Sequence, residues 1–134
     1  MDENSGNAII PVEKWGELKK LFETDLPIPF AQEIMLFDCH VAGTGYVKDI
    51  LALTAEIQEG SVLALQREPN NTHDQLAITV RTEQGAKLGY VPRAWNTIPA
   101  HLLDAGKMLF AKVVKKELHD EWLKIQIQVY LRDL

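Results

Sequence analysis

Cysteine is almost missing from this chain: Cys39 is the single one in 134 residues. No disulfide framework and no Cys-based zinc site can therefore form within it. Long apolar runs are missing too. The longest extend a handful of residues, far short of the about 20 that a membrane-crossing helix needs, so no membrane association is expected. The leading Met1-Asp2-Glu3-Asn4 is acidic and polar, unlike a signal or transit peptide, and a cytoplasmic location is the expectation. Neither GxxxxGK[ST] nor GxGxxG occurs, and Gly43-Thr44-Gly45 is the nearest approach to a phosphate-cradling loop. His40, His73, His101 and His119 lack the paired spacing of zinc ligands, so no metal and no cofactor are expected. Internal repeats and low-complexity segments are absent. What remains is ordinary globular composition, 46% apolar and 25% charged. A chain of this length buries roughly two thirds of its unfolded surface, enough to fold without a staple.

The formal charge of −5 at pH 7 argues at first against polyanions. Its distribution argues differently. Residues 81–116 hold Arg81, Lys87, Arg93, Lys107, Lys112, Lys115 and Lys116 against Glu83 and Asp104, while residues 1–66 are strongly acidic. Salt screens charge over roughly 8–10 Å, so a basic face can act locally on an acidic protein. A solvated strand surface is the competing reading of the same residues.

Between Val12 and Thr24, Trp15, Leu18, Leu21 and Phe22 recur at three- and four-residue spacings, which predicts an amphipathic helix ended by Pro27 and Pro29. Residues 1–32 are thus expected as a lead plus helix, and residues 33–134 as the main domain. Within it, Glu33–Ala42 reads as a strand, apolar on both faces and so central. Asp49–Gln58 reads as a short helix with Ile50, Leu51, Leu53 and Ile57 inward. Strands are expected at Val62–Arg67, Leu76–Thr82 and Lys87–Val91, and a helix capped by Asn96 or Thr97 runs to Gly106. Leu109–Leu118 and Trp122–Leu131 alternate as a hairpin. In the second, Leu123, Ile125, Ile127, Val129 and Leu131 share one face. The sum is mainly β: a small OB-like barrel of about six strands with two or three short helices.

Catalytic constellations are thin. Cys39 and His40 are neighbours on a strand and point to opposite faces, and the apolar setting of Cys39 is that of a core residue. His73-Asp74 is the best acid–base pair, although an Asx-type loop bond from Asp74 beside an exposed His73 is the favoured explanation. Binding residues are more plentiful: Tyr46, Arg67, Asn70, Asn71, His73, Tyr90, Arg93 and Asn96 all fall at strand ends or in adjoining loops, where binding groups are displayed. Tyrosine faces can stack on bases and arginine can pair with phosphate. Half-buried tyrosines and an Arg67 paired with a carboxylate are the structural alternative.

The order of motifs resembles the HIRAN domain family. Ala42-Gly43-Thr44-Gly45-Tyr46, Leu63–Asn71 (with Arg67-Glu68-Pro69-Asn70-Asn71), Asp74–Val80, Lys87–Arg93 and the Leu102–Gly106 helix end carry the resemblance over about residues 33–131. It implies an OB-like barrel that binds DNA without catalysis. In fork-remodelling ATPases of the Swi/Snf class such a domain grips a single-stranded 3′-hydroxyl end, and other members are fused to nucleases and helicases. Carried over by motif, Tyr46 would stack on a terminal base. Asp74, with His73 before it, would contact the terminal nucleotide and its 3′-hydroxyl. Tyr90 and Arg93 would sit beside the same groove. Arg67 and Asn71 are expected at the DNA from their place at the strand end and in the loop. This chain departs from those fork-remodelling members at Gly45 (basic there), Val47 (aromatic there) and His73 (aromatic there). The expectation is a non-catalytic module for single-stranded DNA or 3′-hydroxyl ends, in repair, replication or processing. The alternative is an interaction adaptor of the same fold that docks a nuclease or helicase through the helix of Trp15, Leu18, Leu21 and Phe22.

Overall fold

The computed structural model describes residues 32–133, so the helix expected over 12–24 lies outside the described residues. Six strands appear: β1 Gln32–His40, β2 Val62–Arg67, β3 Ile78–Arg81, β4 Lys87–Tyr90, β5 Met108–His119 and β6 Trp122–Asp133. Two helices, α1 (Ile50–Thr54) and α2 (Thr97–Asp104), and two 3-10 turns, Thr44–Tyr46 and Arg93–Trp95, connect them. The sheet order is β1-β6-β5-β2-β3-β4.

The long hairpin forms because period-two alternation hides one face of β6 and of the first half of β5. Ile127 and Val129 of β6 are buried opposite Val113 and Ala111 of β5; past a register shift between Val113 and Lys115, the buried Ile125 and Leu123 pair with Lys116 and Leu118. The strands pair antiparallel from Met108↔Arg132 to His119↔Trp122. Asp120 takes the tight turn with φ 55°, a left-handed conformation that aspartate tolerates better than most side chains. On β2, Leu63 and Leu65 face the same core while Val62, Ala64 and Gln66 face out. Ile78, Val80 and Leu88 complete the core from β3 and β4, and Ala100 enters it from α2.

A close approach curls this sheet back on itself. Just past β1, Ala42 and Tyr90 exchange backbone hydrogen bonds of 2.7 and 2.8 Å, tying the start of the sheet to its far strand. Gly89 makes that closure sterically possible: a Cβ there would sit 2.3 Å from the Ala42 carbonyl oxygen and 2.7 Å from Val41 Cγ1. The result is a mainly β, curled half-barrel, as the alternation and turn signals predicted.

Three local expectations change. The Glu33–Ala42 strand is not central: β1 ends the sheet order, and Ile34 and Met35 are 40% and 47% exposed. Its apolar residues serve the closure instead, through buried Cys39 and Val41. The first helix is a bare turn and a half, so Ile50 and Leu53 reach the core while Leu51, about 100° round the axis from Ile50, stays out. The third strand starts at Ile78 because Leu76 and Ala77 belong to a turn, in which the Ala77 N–H bonds the Asp74 carbonyl. Among the described residues, no helix is long and apolar enough to cross a membrane.

Candidate functional site

The loop between β2 and β3 is folded by its own polar side chains. Asn71 Oδ1 accepts the backbone N–H groups of His73 (2.8 Å) and Asp74 (3.0 Å), which forces the chain round sharply. Its Nδ2 donates to Glu68 Oε1 at 2.7 Å, and the Tyr90 hydroxyl donates to the same oxygen at 2.7 Å. The loop is thereby bound to β4. These two hydrogen bonds, Asn71 first, hold the Glu68 carboxyl below its ordinary pKa.

Asp74 emerges from this loop with its carboxylate already oriented. Oδ1 accepts the Leu76 N–H at 2.9 Å, and Oδ2 accepts the Asn96 side-chain amide at 2.8 Å. The Arg93 Nε lies 3.6 Å from Oδ2. The Leu76 N–H is the main cause that lowers the Asp74 pKa, with Asn96 and the Arg93 charge adding to it against partial burial. The carboxylate is thus ionised at neutral pH and still 22% exposed. Arg93 also donates to the His73 carbonyl, yet its side chain remains 71% exposed.

Asn71, His73, Asp74, Tyr90 and Arg93 together line one cleft of about 250 Å³, floored by Ala42, Ala77 and Val91. The chain therefore brings five of the seven candidate residues to a single place. Tyr46 is 97% exposed on its 3-10 turn, outside the lining of the cleft. That turn opens at Gly43 (φ 78°), and the buried Thr44 hydroxyl fastens it to the Leu123 carbonyl at 2.7 Å. Arg67 stands apart from the cleft. Its guanidinium is spent on Asp104 (2.9 Å) and on the carbonyls of Ala77 (2.8 Å) and Gln75 (2.9 Å), and its side chain is 14% exposed. This is the carboxylate-paired alternative, and it makes Arg67 a brace under the β2–β3 loop.

Asn96, expected both as a cap and among the displayed loop residues, serves the cleft. It sits at the cap position of α2 with a helical backbone, makes no side-chain cap hydrogen bond, and donates its amide to Asp74. Glu68 was legible only as part of a motif. Trp122, read as a strand residue, is 44% exposed, packs edge-on to His40 and tilted on His119, and precedes the Leu123 carbonyl that anchors the Tyr46 turn. Its signal was an aromatic beside a hairpin turn. Among the described residues, no three His, Cys, Asp or Glu side chains converge as a metal site. Burial, with the Asp38 charge secondary, pushes the Cys39 thiol up to about 12.

The HIRAN domain family model matches residues 34–132. A protein from Lactobacillus plantarum has a similar crystal structure, with 32% identity and a TM-score of 0.71 over 77% of this chain and 98% of that one. The HLTF HIRAN domain in its DNA-bound conformation is similar in fold, with 20% identity and a TM-score of 0.53 over 76% of this chain and 80% of that one. The helicase-like transcription factor of Oryctolagus cuniculus is 33% identical over 60 residues, which are 45% of this chain and 6% of that protein. The chain thus matches a small part of that relative's length.

Proposed function

The chain belongs to the HIRAN domain family, and from that membership we propose that it is a DNA-binding module for single-stranded DNA carrying a free 3′-hydroxyl end, serving repair, replication or processing. The observation that carries the reading is the Asp74 carboxylate, held ionised and partly exposed in a cleft edged by Arg93, His73 and Tyr90. A carboxylate so placed accepts a hydrogen bond from a hydroxyl and repels a phosphate monoester, which is how a cleft tells a free end from a blocked one. Arg93 offers an exposed guanidinium to the adjoining phosphate, and Tyr46 presents an unobstructed ring for stacking. Asn71 and Arg67 act from behind, by shaping and bracing the loop. The module binds and does no chemistry in this reading: each Asp74 oxygen keeps a lone pair for a hydroxyl donor beside its internal partner, and the Cys39 thiol is far from ionisation at neutral pH.

The test compares fluorescent single strands ending in 3′-hydroxyl or 3′-phosphate with blunt duplex, at low and physiological salt. Weak but selective binding of the 3′-hydroxyl strand is expected, since one small basic face neutralises few phosphates. Tyr46→Ala should weaken it by about 5- to 100-fold, the equivalent of one stacked base at about 1–3 kcal/mol. Equal affinity for the 3′-phosphate would end the Asp74 role.

A second reading, an adaptor that docks a nuclease or helicase, draws on one observation. Leu36, Phe37, Trp95, Ile98 and Pro99 line an apolar groove of about 440 Å³ in which the Phe37 and Trp95 rings stack, and Ile98 is 70% exposed. Absence of any DNA binding at low salt would favour it.

A further inference from the structure

We infer that Arg81 and Lys87 form a phosphate track that leads single-stranded DNA out of the cleft across the outer face of β3 and β4. The inference rests on the DNA-binding reading and names the path that the strand takes beyond its end.

Most cations of the basic segment already have internal partners. Lys112 and Arg132 share Glu33 at 3.2 and 3.0 Å, and Lys115 pairs with Glu117 at 3.3 Å. Lys116 donates to the Thr54 carbonyl at 2.6 Å. Among the described residues Arg81, Lys87 and Lys107 lie in no ion pair, and of these Arg81 and Lys87 stand on the two strands that lead away from the cleft. They are also neighbours, since Arg81 is the cross-strand partner of Lys87. Paired residues on adjacent strands lie about 5 Å apart, so one short stretch of backbone meets both charges.

The two side chains are held on the outer face and not left to wander. Arg81 Nε donates to Thr79 Oγ1 at 3.1 Å and its Nη1 to the Gly85 carbonyl at 3.0 Å, while Nη2 has no hydrogen-bond partner among the described residues. Lys87 Nζ donates to the Tyr90 hydroxyl at 3.1 Å and lies 4.9 Å from the centre of that ring. Tyr90 itself lines the cleft. The face is therefore continuous: cleft, Tyr90, Lys87, Arg81. Beyond Arg81 its neighbours on β2 are the exposed Ala64 and Gln66, small or neutral, which keep the surface low and open. Glu68 is the carboxylate that feels both cations, and one negative charge against two leaves the face net positive. A phosphodiester backbone is the ligand that such a pair fits, with charge-assisted hydrogen bonds from a guanidinium and an ammonium.

The test uses the full chain with deoxythymidine tetranucleotide and dodecanucleotide, both ending in 3′-hydroxyl and labelled at the 5′ end. The wild type should bind the longer strand more tightly. In Arg81→Gln/Lys87→Gln, the advantage of the longer strand should fall about tenfold, and the salt slope for it should flatten by about 1.4, twice the value of about 0.7 per single-strand phosphate contact. Lys107→Gln, an exposed charge in the turn before β5, should flatten neither. If the double variant fails to fold, Lys87→Gln alone should flatten the slope by about 0.7. A wild-type advantage and slope retained in whichever of these variants folds would overturn the track. Failure of the wild type to bind either oligonucleotide would instead overturn the DNA-binding reading beneath it.

Discussion

Asn96 gives its side-chain amide to Asp74 Oδ2 at 2.8 Å across 22 residues of sequence, although it occupies the position from which it would normally cap α2. Asn96 has a helical backbone (φ −92°, ψ −13°) and not the extended one from which a side-chain oxygen reaches back to the first turn, so it makes no cap bond. Its Nδ2 donates instead to an ionised carboxylate, a bond worth about 1.5–3 kcal/mol, and the helix start becomes a fixture of the cleft. Asn96→Ala removes a donor from a buried position and leaves Asp74 with one fewer partner. It should cost about 1–3 kcal/mol in urea unfolding and weaken 3′-hydroxyl binding, whereas Tyr46→Ala, at a 97% exposed ring, should weaken binding and leave stability nearly unchanged. A variant as stable as the wild type would show that the bond contributes nothing net.

Acid should remove the contribution of Asp74 in a defined window. Its folded pKa is lowered from 3.8, so the unfolded chain takes up the proton first as pH falls. The stabilisation is complete above the unfolded value and is lost as pH drops through the lowered folded one. The stability difference between wild type and Asp74→Asn should therefore stay level from neutral pH to about pH 5 and shrink below about pH 4. Denaturant melts of both proteins across that range read it directly. A difference that grew on acidification would contradict the assigned direction.

Gly89→Ala should open the closure. The added Cβ would meet the Ala42 carbonyl oxygen at 2.3 Å, and that oxygen is backbone held by the Tyr90 N–H, so it has no side chain to swing aside. Overpacking of this kind costs about 1–3 kcal/mol or more. Since Ala42 and Tyr90 both border the cleft, DNA binding should fall with stability. Amide exchange at Ala42 and Tyr90 would report the opening, and unchanged protection there would refute it.

Arg67 and Arg93 should separate cleanly. Arg67→Ala strips three internal acceptors of their donor, and a loss of about 2–3 kcal/mol is expected in thermal or urea melts. Arg93→Ala removes a mostly exposed side chain, so stability should change by less than about 0.5 kcal/mol. Its effect belongs in the DNA titration, where the salt slope should flatten by about 0.7. The opposite pattern would reverse the two roles.

Much of the fold was readable residue by residue. The alternation of Leu123, Ile125, Ile127 and Val129, the glycine at the end of α2 and the break at Gly43 are local signals, and local backbone geometry obeys them. The motif that contains Asn71, His73 and Asp74 was legible for the same reason: the loop is folded by bonds between residues two and three apart. Position in the sheet was not legible. A strand apolar on both faces looks alike whether its neighbours are strands on both sides or a closure on one, so β1 was placed at the centre when it lies at an end. Nor was the fate of each charged or polar head group. Arg67 meets Asp104 37 residues away, and Asn96 meets Asp74, because the curl of the sheet brings α2 beside the β2–β3 loop. The sequence by itself determined which segments fold and which loop carries the carboxylate. Only the tertiary structure decided which arginine is spent on the protein and which stays open to a ligand, since ion pairing depends on distances of a few ångströms between segments that are far apart along the chain.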